Sequence, residues 1–151
     1  MGGNQSGGAG TIWRRAGGVF GHLRVDNGNT ATTFVSTPLA ATPIGSGLGV
    51  VDATGQRFTT STPFATGSSF GHVGRHLIVD GDSRRPLKVL AHGPDWVEVD
   101  GPLPVGATIA YAGAFVFDSL TVTGNASVHT LGEVLVLGTG TPLLLGGGTI
   151  Q

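Results

Sequence analysis

Three sets of residues in this chain are of types that do chemistry. His72 and His76 sit four apart in "FGHVGRH", with His92 further on. Neutral imidazole is a common metal ligand, and two histidines at that spacing on a strand would share a face. Two glycines interrupt the pair, and no third ligand stands at a recognisable spacing, so turn or surface histidines and no metal are expected. Asp80 and Asp82, in "VDGDSRRP", match the D-x-D opening of a calcium loop, but the next alternate position is Arg84 where an oxygen ligand is needed. A β-turn whose aspartates bond their own backbone accounts for them. Glu98 and Asp100, two apart in "VEVD", would share a strand face, and a pair of carboxylates flanking a sugar could cleave a glycosidic bond. Arg75, Arg84, Arg85 and Lys88 are near enough in sequence to pair with them, so a charged, solvated face is expected and no catalytic residue is assigned. The Gly-rich "GTGTPLLLGGG" lacks the Lys-Ser/Thr ending of a phosphate loop. No cofactor is implied, and the chain reads as a non-enzyme.

The aromatic residues point to binding. Trp96 follows the turn "HGPD", Trp13 precedes Arg14 and Arg15, and Tyr111 ends a β-like run. An exposed indole or phenol ring is a stacking surface for sugar, with large apolar area and little entropy to lose. Trp96, Tyr111 and Trp13 are therefore the candidate ligand-binding residues, with a glycan as partner. The competing role for both tryptophans is to cover a small core.

The elements that must position these residues are short. The chain has 151 residues, 28 of them Gly, 39% hydrophobic and 11% charged, with a formal net charge of −1. Such hydrophobicity with low charge is not a disordered composition, and Gly shows no collagen period. Glycine weakens helix and strand interiors, so this much of it implies many tight turns. No segment holds a 3.6 period, whereas Leu77 and Val79, Val97 and Val99, Leu120 and Val122, and Val134 and Val136 alternate. Turn signals separate these runs, "DNGN", "DGD", "HGPD", "TGN" and "GTGTP". The chain reads as all-β. The near-neutral charge argues against nucleic acid. No apolar run reaches a membrane helix, so membrane insertion is not expected. Zero cysteines exclude a disulfide scaffold. No signal peptide is evident, and the leader "MGGNQS" matches the myristoylation pattern by coincidence of its Gly content.

An internal echo organises the chain. "VFGHLRVDNGN" (19–29) aligns without gaps on "VFDSLTVTGNA" (116–126), placing Phe20, Leu23 and Val25 opposite Phe117, Leu120 and Val122. The spacing of three and then two switches faces once, as a bend or bulge before a strand would. The two segments are expected to be neighbouring rungs of one structure. Short strands with Gly corners after the second copy suggest successive coils of a parallel β-solenoid. An antiparallel sandwich or barrel would also show short strands with regular turns.

The expected architecture is thus a parallel β-solenoid interrupted by an inserted antiparallel β-meander or barrel module. Its parts are a first coil over 1–29, the insert over 30–113 and further coils over 114–151. Strands at 75–80, 87–91, 96–100 and 107–111 form the meander. "GGAGTIW", "FGHLRVDNGN", "VGRHLIVDGD" and "FDSLTVTGNASVHT" resemble pieces of long, Gly-rich bacterial surface or secreted repeat proteins with pectin-lyase-like β-helix units. The resemblance implies an extracellular or cell-surface location, an adhesive or scaffolding role, and no catalytic residues. "GGAGTI" near the start and "GGGTI" at 146–150 read as opening lines of successive units. Self-association through open solenoid ends, as a homo-polymer or a continued tandem array, is the expected partnership.

Overall fold

The computed structural model describes residues 10–14, 20–28, 36–39, 44–64, 71–130, 133–138, 143–146 and 149–150, and side chains within 20–28, 44–64, 71–129 and 134–138. All regular structure among them is strand. The elements are β1 (Gly10–Arg14), β2 (His22–Asp26), β3 (Ser36–Leu39), β4 (Ser46–Val51), β5 (Arg57–Thr60), β6 (His76–Val79) and β7 (Leu87–His92). They continue with β8 (Trp96–Val99), β9 (Thr108–Phe117), β10 (Ser119–Thr123), β11 (Ser127–Thr130), β12 (Glu133–Val136), β13 (Leu143–Gly146) and β14 (Thr149–Ile150). The chain divides into two compact units, Met1–Ala40 with Val116–Gln151, and Ala41–Phe115.

The second unit overturns the parallel β-solenoid as the fold of this chain. Its strands run in the order β9-β4-β5-β8-β7-β6, every pair antiparallel, and β6 returns to β9. Six strands therefore close into a small antiparallel barrel, which leaves no edge to be covered. The physical reason lies in the connections. Asp52 Oδ1 accepts from both the backbone N–H and the hydroxyl of Thr54, and Gly55 adopts φ +67°, so the chain reverses directly from β4 into β5. "DGD" bends in the same way, with positive φ at Asp80 and Gly81. Local reversals join antiparallel neighbours, whereas parallel neighbours need long crossovers.

Alternation fixes which side chains fill the barrel. Phe58, Leu77, Leu87, Val89, Val97, Val99, Ile109 and Tyr111 point inward with Val51, and Ile44, Phe64 and Leu103 complete the core. Strand β4 offers glycine on this face. A Cβ on Gly49 would run into the Phe58 ring, and one on Gly47 would sit 3.0 Å from the Tyr111 hydroxyl. The two rings, 5.1 Å apart, occupy the space that side chains on β4 would have taken. Glycine in a strand interior thus marks the close approach of large neighbours.

In the first unit β2 pairs with β10 in parallel, and Leu23 lies opposite Leu120 and Val25 opposite Val122. This is the register of the sequence echo. All four side chains are buried. β10 pairs in parallel with β13 on its other side, and β11 takes β3 and β14 in parallel as its neighbours. β1 runs antiparallel to β2, so the matching words near the two ends lie in different sheets with opposite pairing senses. The corner between β10 and β11 uses positive φ at Gly124 and Asn125. Where the echo places Gly21 against Asp118, the two positions are tied together. Asp118 Oδ2 accepts the N–H of Phe20 at 2.8 Å and of Gly21 at 2.5 Å, and its own N–H donates to the Gly21 carbonyl. One rung further, His22 Nδ1 meets Ser119 Oγ at 2.8 Å.

Candidate functional site

The barrel carries two groups of side chains with chemical potential, one at an end of its core and one on its outer wall. A β-bulge builds the first. Val89 pairs with Val99, but Ala91 pairs with Glu98 and His92 with Val97, so Leu90 is an extra residue in β7. Without the bulge Ala91 would have faced inward. The added residue reverses the parity and puts His92 on the face of Val97, inside. Leu90 is left exposed on the outside.

His72 comes to meet it from the turn before β6. The Arg75 N–H donates to the His72 carbonyl, Gly74 N–H to the Val89 carbonyl and Val89 N–H to the Arg75 carbonyl, which pins the turn to β7. The backbone N–H of His72 donates to His92 Nε2 at 3.1 Å. The imidazole centroids lie 4.6 Å apart. Phe64 packs edge-on to His72 at 5.7 Å and touches Tyr111, with centroids 5.9 Å apart. Phe64 is itself held by its N–H to the Pro94 carbonyl. His72 is only 4% exposed, and its Nδ1 has no hydrogen-bond partner. Burial, then the neighbouring His92, then Arg75, hold its pKa below the ordinary histidine value, so the ring is kept neutral.

Tyr111 belongs to this cluster, with its ring in the barrel core. It is 7% exposed, and burial raises its phenol pKa, while a hydrogen bond with Thr60 acts the other way. The expectation that it displays its ring is corrected: position 111 has the inward parity of Ile109, and β9 runs through the barrel wall.

Trp96 stands on the outer wall, half-buried. It pairs with Thr59, while Glu98 pairs with Arg57. The Arg57 guanidinium lies 4.1 Å from the indole centroid and donates to Glu98 Oε2 at 2.9 Å. Gly93 also packs against the indole, where a Cβ would collide with the ring. Arginine therefore occupies the face on which a sugar would stack, through a cation–π contact reinforced by an ion pair. Trp13 is placed only by its backbone, on β1 opposite Leu23. Its side chain, the leader "MGGNQS" and positions 139–142 of "GTGTP" lie outside the described residues.

The carboxylates are engaged structurally. Glu98 answers Arg57, and not the four basic residues that sequence proximity suggested. Asp100 Oδ1 accepts the Lys88 N–H at 2.8 Å. Asp80 Oδ1 accepts from Ala110 N–H at 2.8 Å, and Asp82 Oδ1 from Arg84 N–H at 3.1 Å. Both aspartates thus bond backbone N–H groups, Asp82 within its own turn and Asp80 on the adjacent strand. Among the described residues no group of three or more His, Cys, Asp or Glu is placed to hold a metal ion. The pair that meets is His72 with His92, not His72 with His76. An unequal run of alternation across "VLAHG" was the one signal in the sequence that could have found it.

Comparison of the chain with protein-family models, with characterised proteins and with solved structures finds no match in any of the three.

Proposed function

We propose that this chain is a structural module of an extracellular surface or fibre, and that it associates with copies of itself by strand pairing at the edges of its parallel sheets. The observation that carries this is the difference in edges between the two units. Among the described residues each barrel strand has a hydrogen-bonded neighbour on both sides, whereas β13 and β1 bound one sheet of the first unit and β14 and β3 bound the other. An edge strand presents a row of free N–H and C=O groups, which is a template for another chain. β10 already accepts parallel partners on both sides in the same register, with Leu120 opposite both Leu23 and Leu143. A further strand of this chain's own type would extend that ladder without new geometry.

Composition supports the setting. A chain with 28 glycines, no cysteine and almost no net charge has little with which to recognise nucleic acid, and its buried residues serve packing. The resemblance to long Gly-rich surface proteins points the same way. Mass distribution by analytical ultracentrifugation over a wide range of concentrations tests the reading. Concentration-dependent assembly is expected, with its loss in Leu144→Pro, because proline is poorly tolerated in a strand and breaks the regular ladder of β13. Strict monomers at the highest concentration would overturn it.

A further inference from the structure

The histidine pair at the end of the barrel is more elaborate than a packing contact requires. We propose that His72 and His92 form an acid-operated clasp, which holds the start of the 71–75 turn against β7 while both rings are neutral and releases it when either is protonated.

The hydrogen bonding requires a particular tautomer. His92 Nε2 accepts from the His72 backbone N–H, so it must carry a lone pair, and the ring proton lies on Nδ1, 3.5 Å from the Gly93 carbonyl. Protonation would place a second N–H against the His72 amide and destroy the bond. His72 has no better option. Its buried Nδ1 lacks an acceptor, so a proton added there would be a buried, unpaired cation. Two imidazolium rings at 4.6 Å would also repel each other.

No neighbouring group relieves this. The charged or titratable side chains on the elements packed around the pair are Arg75 in the turn itself, His76 on β6, Lys88 on β7, Asp95 in the β7–β8 turn, Glu98 on β8, which is paired with Arg57, and Tyr111 on β9. Among the described residues no carboxylate is hydrogen-bonded to either ring, and Arg75 adds to the penalty on His72. The other half of the turn keeps its own ties through Gly74, Arg75 and Val89. Opening is therefore confined to the His72 end, where it uncovers Phe64 and Tyr111.

The sign follows from the lowered pKa of His72. Below the ordinary histidine pKa of about 6.5 the unfolded or opened form binds more protons than the closed one. The clasp contributes fully above that value, and its contribution falls as the pH drops toward the folded-state pKa.

Amide hydrogen exchange of the full chain, read by NMR and corrected for the intrinsic pH dependence, tests this directly. Protection of the His72 amide should fall about tenfold or more between about pH 7.5 and about pH 5 in the wild type. It should fall clearly less in His92→Gln, whose side-chain oxygen accepts the same N–H and takes up no proton, which leaves His72 alone to respond. In His72→Phe the thermal midpoint should vary less with pH over the same window. Equal loss of protection in His92→Gln, or none in the wild type, would overturn the proposal. Should the glutamine variant fail to fold, the ring nitrogen shifts of the wild type decide, because a proton found on His92 Nε2 near neutral pH excludes the clasp.

Discussion

The two units solve one problem, how to bury apolar strand faces in a Gly-rich chain, by opposite means. In the first unit like stacks on like: Leu23 on Leu120 and Val25 on Val122, along parallel strands. Equivalent residues need equivalent space, so the ladder repeats without size compensation. In the barrel the inward faces are unequal, and the Phe58 and Tyr111 rings lie across Gly49 and Gly47. Large against nothing replaces like against like. A ladder can accept another rung, whereas the return of β6 to β9 fixes the barrel's interior and the further strand β12 pairs, among the described residues, only with β9, so a fixed interior belongs to the second unit.

This contrast can be broken most forcefully in the barrel. Phe58→Ala empties the space that β4 leaves for an aromatic ring, and a fully buried Phe→Ala change costs about 3–5 kcal/mol. Denaturant unfolding should show that loss, with amide protection collapsing in β4, β5 and β9 of the barrel while β2 and β10 keep theirs. Loss of protection in both units together would mean that they do not behave as separate bodies.

Asp118→Ala acts on the ladder. It leaves the Phe20 and Gly21 N–H groups without their acceptor. Hydrogen bonds to a charged group are worth about 1.5–3 kcal/mol, so a loss of about 2–3 kcal/mol is expected. The exchange of β2 and β10 amides should report it and that of Val97 and Val99 should not. Unchanged protection at β2 would show that apolar stacking alone sets the register.

The smallest effect sharpens the outer-wall reading. Arg57→Ala removes an ion pair and a cation–π contact, both half-exposed. About 0.5 kcal/mol of stability is expected to go, since solvent screens such pairs. Trp96 fluorescence should change more than stability does, because the indole face becomes accessible. If a glycan then binds where none bound before, arginine is what closes that face.

Much of the strand content was legible. The meander at 75–80, 87–91, 96–100 and 107–111 lies on β6, β7, β8 and the start of β9, because alternation and turn residues are local properties. The echo was legible too, because paired rungs repeat residue types and so leave a copy in the sequence. A barrel was one of two readings of the insert, and nothing local chose it over an open meander. Alternation says which residues face inward and is silent on the strand that lies alongside. Two parallel-paired segments made 1–29 and 114–151 read as solenoid coils and 30–113 as an insert into them, although the chain's middle half closes into a barrel of its own.

The site shows the same division. Asp80, Asp82 and Asp100 serve backbone N–H groups; residue type and turn context were enough to anticipate this for Asp82 within its own turn, but not the reach of Asp80 to Ala110 on β9. Tyr111 was misplaced because its ring fills the volume opposite Gly47, a position 64 residues distant in the chain. The His72–His92 contact was hidden for another reason. One extra residue at Leu90 inverts the facing of everything after it in β7, and the mark it leaves in the sequence is only the uneven alternation across "VLAHG".

By itself, then, the sequence determined an all-β chain, the positions of its turns and the pairing of its two echoing segments. These follow from backbone preferences and from side chains that repeat at short range. Only the tertiary structure decided that β6 returns to β9, that glycine faces aromatic rings across the barrel, and that two histidines meet behind a bulge. Each of those depends on which distant surfaces fill one another's volume, and close packing is a property of the assembled interior and not of any stretch of chain.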